Sequence, residues 1–135
     1  MPNAFKGIDH IGVAVKDLQE SRYTYEKLLG FEIRGTEVLD DRGLEVCFVD
    51  TGNVKIELIA ATRNDSEISG FLQKRGEGIH HICVEVDDIE ETVATMAARG
   101  VKIAGGGIER GASDTKVAFI HPKSAHGVLI ELVQK

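Results

Sequence analysis

The chain contains the same pattern twice, and this repetition narrows its possible folds more than any other feature. GIDHIGVAVKDL at 7–18 returns as GIHHICVEVDDI at 78–89. A spacing of 71 holds from 10 to 81, 17 to 88, 45 to 116 and 48 to 119, pairing His10 with His81, Asp17 with Asp88, Glu45 with Lys116 and Phe48 with Phe119. Near the end of each copy, VKIELI at 54–59 answers VLIELV at 128–133, so Glu57 matches Glu131 at a spacing of 74. The small drift between landmarks puts about three extra residues in a loop of the second copy. Ordered self-similarity of this kind marks a duplicated supersecondary unit.

Each copy reads as strand, helix and three further strands. Ile11, Val13 and Val15 alternate with His10, Gly12 and Ala14, and Ile82, Val84 and Val86 alternate with His81, Cys83 and Glu85. A period of two is the signature of a half-buried strand. Asp17 and Asp88 then stand where a side chain can accept from the free amides of a first helical turn. Leu18, Tyr25, Leu28 and Leu29 in one copy, and Ile89, Val93 and Met96 in the other, follow helical spacing up to Gly30 and Gly100. Short alternating segments come next, broken at Asp40-Asp41-Arg42-Gly43 and at Gly111-Ala112-Ser113-Asp114. The expected architecture is α+β. Two βαβββ modules, at 5–61 and 79–135, would pair into one half-open eight-stranded mixed sheet within a single domain. Between them, 62–78 carries a short helix near 66–75 closed by Gly76. Gly105-Gly106-Gly107 reads as flexible loop, because it lacks the lysine and following helix of a phosphate-binding loop.

Composition removes several functions. The 135 residues carry a net charge of −6, and aromatic residues make up 5% with no tryptophan. Neither a basic footprint nor a base-stacking platform for nucleic acid is present. No apolar run approaches the ~20 residues of a membrane span, and the first residues do not resemble a signal peptide. Cys47 and Cys83 cannot build a disulfide framework and suit a reducing compartment. A cytoplasmic protein is expected.

Four residues suggest a metal centre. His10 and His81 occupy equivalent strand positions, and equivalent histidines on paired strands would face one another. Glu57 lies between Ile56 and Leu58, and Glu131 between Ile130 and Leu132. A carboxylate in such a run either faces solvent or needs a partner, since burying it unpaired costs several kcal/mol. Matched glutamates together with matched histidines favour shared coordination. Two imidazoles and two carboxylates suit one borderline divalent ion, Zn²⁺ or Co²⁺ first and Ni²⁺ or Mn²⁺ next. Cys83 has no equivalent and reads as a buried small hydrophobe, His80 as a structural residue, and His121 and His126 as loop residues.

On IDHIGVAVKDL, FLQKRGEGIHHICVEVDDIE and HPKSAHGVLIELV, the chain resembles the vicinal oxygen chelate superfamily and, within it, the methylmalonyl-CoA epimerase family. The resemblance implies His10, His81 and Glu131 as metal ligands and Glu57 as the fourth. It further implies interconversion of the (R) and (S) epimers by two bases through a metal-stabilised enolate. Glu131 would be one base and Glu45 the other. An acyl-CoA substrate would draw on local cations such as Lys74, Arg75, Lys116 or Lys123. By analogy, the assembly would be a homodimer. A glyoxalase I-like lactoylglutathione lyase uses the same metal geometry. A metal-free drug-binding protein of the same fold would need neither the histidines nor the glutamates.

Overall fold

The computed structural model describes residues 4–135, and within them every strand and helix of the duplicated pattern is present. The strands are β1 (Phe5–Ala14), β2 (Glu32–Leu39), β3 (Leu44–Asp50), β4 (Lys55–Ala61), β5 (Gly78–Val86), β6 (Ile103–Gly111), β7 (Thr115–Ile120) and β8 (Ile130–Gln134). The α-helices are α1 (Leu18–Tyr23), α2 (Glu67–Arg75) and α3 (Ile89–Ala98). The chain forms two compact units. One runs from His10 to His80, and the other from His81 to Lys135 together with the first half of β1, up to Asp9.

In the unit beginning at His10 the strand order is β2-β3-β4-β1. The β2–β3 and β3–β4 pairs are antiparallel, and β1–β4 is parallel. One sheet face packs Val15, Cys47, Val49, Leu58 and Ala60 beneath Leu18 of α1. The other face gathers Ala14, Leu44, Val46 and Ile59 with Ile68 of α2. The second unit repeats the plan in the order β5-β8-β7-β6, with β5–β8 parallel. There, Val86, Ala118, Ile120 and Leu132 pack against Ile89 of α3, while Cys83, Val117, Phe119 and Val133 form the opposite face.

The helix starts follow from the two aspartates. Asp17 Oδ1 accepts from the Glu20 amide, and Asp88 Oδ1 accepts from the Glu91 amide, each at 3.0 Å. This side-chain acceptor satisfies an amide that has no partner within the helix. Helix α2 begins in the same manner, with Ser66 Oγ accepting from the Ser69 amide at 3.2 Å, and it ends at Gly76 in a positive-φ conformation.

Two local expectations are corrected. The first helix does not run on to Gly30 with one apolar stripe. After Tyr23 it widens into a π-turn over Thr24–Leu28, closed by the Leu29 amide donating to the Thr24 carbonyl. A π-turn changes the angular step per residue, so the 3.6-residue spacing no longer predicts the buried side. Tyr25 still packs against Phe31, but Leu28 and Leu29 are 67% and 58% exposed. The second correction concerns Gly105-Gly106-Gly107, which lies inside β6. Register jumps there from Ala104 opposite Phe119 to Glu109 opposite Val117. The glycines bulge out of the ladder, two of them at positive φ.

Glycines in this region are therefore not interchangeable. A Cβ on Gly111 would lie 2.5 Å from Val117 Cγ1, a β-branched core side chain that cannot swing away. A Cβ on Gly106 meets nothing within 4 Å. Gly111→Ala is expected to lower stability by about 1–3 kcal/mol through overpacking, and Gly106→Ala to stay within about 0.5 kcal/mol. Urea unfolding midpoints at unchanged slope check this pair.

Candidate active site

In the unit beginning at His10, the parallel register sets Gly12 beside Glu57 and Ala14 beside Ile59. His10, Gly12 and Ala14 thus share the sheet face that carries Glu57. His10 Nδ1 lies 3.1 Å from Glu57 Oε2. In the other unit, β5 and β8 place Cys83 beside Glu131. His81, two residues before Cys83, is on that face, with its Nε2 2.9 Å from Glu131 Oε1. The two pairs use different ring nitrogens and are otherwise alike.

Burial decides between the two readings of these glutamates. Glu57 and Glu131 are each 6% exposed, and His10 and His81 each 5%. Neither carboxylate faces solvent. A buried carboxylate needs a compensating donor or cation, and each has an imidazole for its neighbour. The donor set fits a borderline divalent ion on chemical grounds: each module offers one nitrogen and one carboxylate oxygen, and two carboxylates balance a 2+ charge. His81 and Glu131 belong to a group of side chains whose ligand atoms lie close enough to hold such an ion.

Beside each glutamate stands a phenylalanine. Phe48 is opposite Glu57 across β3–β4, and Phe119 is opposite Glu131 across β7–β8. The Phe119 ring meets His81 edge-on at 6.1 Å. These rings form an apolar wall against each carboxylate. The repeat had already paired them by number, but their side of the sheet depends on hairpin register. Asp9, immediately before His10, also has a partner that the sequence did not reveal. Lys135 Nζ lies 2.7 Å from Asp9 Oδ1, and the Asp9 carboxylate holds the lysine ammonium above its ordinary pKa.

Glu45 is the predicted site residue that the fold sets apart. Antiparallel register puts it opposite Ala60, whereas Glu57 is opposite Phe48. Ala60 packs with Cys47 and Leu58 under α1, so Glu45 lies on the α1 face, opposite the one that carries His10 and Glu57. Its repeat equivalent shows the same orientation: Lys116 reaches Glu90 of α3, Nζ to Oε1 2.9 Å. The fold therefore does not bring Glu45 onto the face that carries His10 and Glu57.

The remaining candidates have local roles. His80 packs edge-on against Phe71 of α2 at 4.9 Å, with the Arg75 guanidinium 5.9 Å from the same ring. His121 Nδ1 accepts from the Lys123 amide at 3.0 Å, and His126 is exposed at positive φ. Cys47 and Cys83 form no disulfide, and both are fully buried.

The comparisons with known proteins show the family and the fold. The model of the Glyoxalase/Bleomycin resistance protein/Dioxygenase superfamily matches residues 9–119. The human mitochondrial methylmalonyl-CoA epimerase is 38% identical over 128 residues, covering 94% of this chain and 73% of the human protein. The ethylmalonyl-CoA/methylmalonyl-CoA epimerase of Cereibacter sphaeroides is 38% identical, covering 94% of this chain and 96% of the relative. A methylmalonyl-CoA epimerase variant from Streptomyces coelicolor, solved with 2-nitronate-propionyl-CoA, superposes with a TM-score of 0.90 at 36% identity, over 97% of this chain and 98% of that one. The duplicated βαβββ fold and its paired histidines and glutamates define a member of the glyoxalase/bleomycin resistance/dioxygenase superfamily, with the vicinal oxygen chelate fold. Within that superfamily the chain belongs to the methylmalonyl-CoA epimerase family.

Burial pushes the Cys47 thiol pKa up, which lowers its thiolate fraction at neutral pH. An alkylating reagent at pH 7 is expected to leave Cys47 unlabelled in the folded protein and to modify it once urea has unfolded the chain. Mass spectrometry of the labelled peptides reads this out.

Proposed function

We propose that this protein interconverts the two C2 epimers of methylmalonyl-CoA, with His10, Glu57, His81 and Glu131 holding one divalent metal ion, Zn²⁺ or Co²⁺ by donor type. The supporting observation is a buried histidine–glutamate pair in each repeat, in a chain of the epimerase family. When bound, the ion supplies a Lewis acid for negative charge developing on the thioester oxygen.

The protein's own residues carry the proton chemistry. The C2 hydrogen lies between a thioester and a carboxylate, and removing it needs a base held still beside it. Glu131 is that base, and His81 at 2.9 Å orients its carboxylate. A positioned carboxylate contributes roughly 10²–10⁴-fold in proton transfer. The Phe119 side chain opposite Glu131 keeps the surroundings apolar, so the carboxylate reacts without a full hydration shell. The protein binds an acyl-CoA ester, as does the Streptomyces relative in its complex. We further infer a cytoplasmic location, because two cysteines without a disulfide suit a reducing compartment, and, by analogy alone, a homodimer.

The test is hydrogen exchange. Metal-loaded protein incubated with methylmalonyl-CoA in D₂O is expected to exchange the C2 proton and to interconvert the epimers, as followed by NMR. Treatment with EDTA is expected to abolish both. No exchange in a metal-replete sample would overturn the epimerase reading and direct the assay to the hemithioacetal of glutathione and methylglyoxal.

A further inference from the structure

The segment that carries each buried glutamate differs in charge at one position between the copies. VKIELI at 54–59 answers VLIELV at 128–133, and within it Lys55 stands against Leu129. Both positions face the site. Lys55 lies two residues before Glu57 on β4, so alternation sets it on the same face. Its equivalent, Leu129, is half-buried and packs against Cys83, Val117, Phe119 and Val133 on the face of Glu131. The same inner place thus holds an apolar side chain in one unit and a cation in the other.

The site face of the His10–His80 unit falls into rows across its four strands. His10, Lys55, Asp50 and Glu32 form one row, and Gly12, Glu57, Phe48 and Gly35 the next. Beyond these come Ala14, Ile59, Val46 and Glu37, and then Ala61, Leu44 and Leu39. Ala14, Ile59, Val46 and Leu44 pack with Ile68, Phe71 and Leu72 of α2, and Glu37 on the outer strand is the one charge of those two rows. The row of Glu57 therefore has an apolar, helix-covered side and a charged side. In the charged row Arg34 bridges the acids, with Nη1 3.0 Å from Glu32 Oε1 and Nη2 2.6 Å from Asp50 Oδ2. The Gly52 amide, donating to Asp50 Oδ1 at 2.8 Å, and Arg34 hold the Asp50 carboxyl below its ordinary pKa. Two carboxylates there meet two cations, Arg34 and Lys55. In the other unit Lys135 stands between Asp9 at 2.7 Å and Glu85 at 3.8 Å, where the acids outnumber the cation.

Resting on the reading above, the substrate carries a thioester and a free carboxylate on one carbon. A carboxylate beside the His10–Glu57 pair has two directions open to it. Toward Ala14 and Ile59 it would give up its water to apolar side chains without a donor in return. Toward Lys55 it meets an ammonium group that donates to it in a charge-assisted hydrogen bond. We propose that Lys55 binds the substrate's free carboxylate and thereby selects malonyl-type thioesters over acyl-CoA esters that lack one. The duplicated module, altered at this one inner place, then treats the two ends of its substrate differently.

Equilibrium binding tests this role apart from turnover. Methylmalonyl-CoA and propionyl-CoA differ only by the carboxylate, and calorimetry gives the Kd of each for metal-loaded wild type, Lys55→Leu, Lys55→Gln and Lys6→Gln. Leucine is what the other copy carries at this place, and glutamine keeps a polar side chain. Lys6→Gln makes the same change of charge at an exposed lysine paired with Asp87. The metal content of each protein is measured alongside. Wild type is expected to bind methylmalonyl-CoA the more tightly. Both Lys55 variants are expected to raise that Kd roughly 10–100-fold, as for the loss of a hydrogen bond to a charged group, and to leave propionyl-CoA within about two-fold. Lys6→Gln is expected to leave both within about two-fold, its charge being solvated and screened. An equal rise for both esters in the Lys55 variants, or loss of their metal, would overturn the proposal and make Lys55 a support of the His10–Glu57 pair. No rise for either ester, or the same rise in Lys6→Gln, would overturn it as well. A wild type that epimerises methylmalonyl-CoA but binds the two esters alike overturns this proposal alone. One that does not epimerise it overturns the reading beneath.

Discussion

The structure depends on keeping two carboxylates in the middle of apolar strands. Glu57 and Glu131 are nearly inaccessible, each flanked in sequence by isoleucine and leucine. An unpaired buried carboxylate costs several kcal/mol, comparable to much of a small domain's net stability. The fold meets that cost by bringing a histidine to the neighbouring parallel strand in each unit, at 3.1 and 2.9 Å. A slip of one residue in β1–β4 or β5–β8 would turn every side chain to the other face and leave each carboxylate without its imidazole. The parallel registers are therefore under both packing and electrostatic constraint.

The helices secure those registers. A parallel pair needs a long crossover, and each copy makes it through a helix started by an aspartate cap and two intervening strands. Leu18 and Ile89 then fill equivalent places over the strands of their own units. Away from that contact the copies diverge: one helix widens into a π-turn, and the register shift in the outer strand takes in more residues in β6 than in β2. Divergence is tolerated where no buried charge depends on the backbone.

The division between what could and could not be read from the sequence follows the same line. The βαβββ order, the capping aspartates and the four site residues are legible, because period-two patterning and a fixed spacing are local properties that duplication shows twice. The face of Glu45 is not. Its strand-mate Cys47 can be read from alternation, but placing both relative to Glu57 requires the β3–β4 register, which the turn between Asp50 and Lys55 sets. Phe48 and Phe119 were matched by number, yet their contact with the site depends on the same hairpin geometry. The exposure of Leu28 and Leu29 follows from a change of helical pitch that residue spacing does not encode. The Lys135–Asp9 pair joins residues at opposite ends of the chain, and no sequence signal connects them.

The broken symmetry at 45 and 116 takes on a different meaning once the faces are known. A glutamate against a lysine at matched positions suggests asymmetry at the reacting centre. Register puts Glu45 on the α1 side and Lys116 on the α3 side, where Lys116 forms an exposed ion pair with Glu90 that contributes little to stability. On the site side three positions agree, histidine with histidine, glutamate with glutamate and phenylalanine with phenylalanine, while Gly12 and Ala14 answer to Cys83 and Glu85. The physical reason is the burial of charge: an outer residue can change singly, but an inner carboxylate can change only together with the imidazole that compensates it.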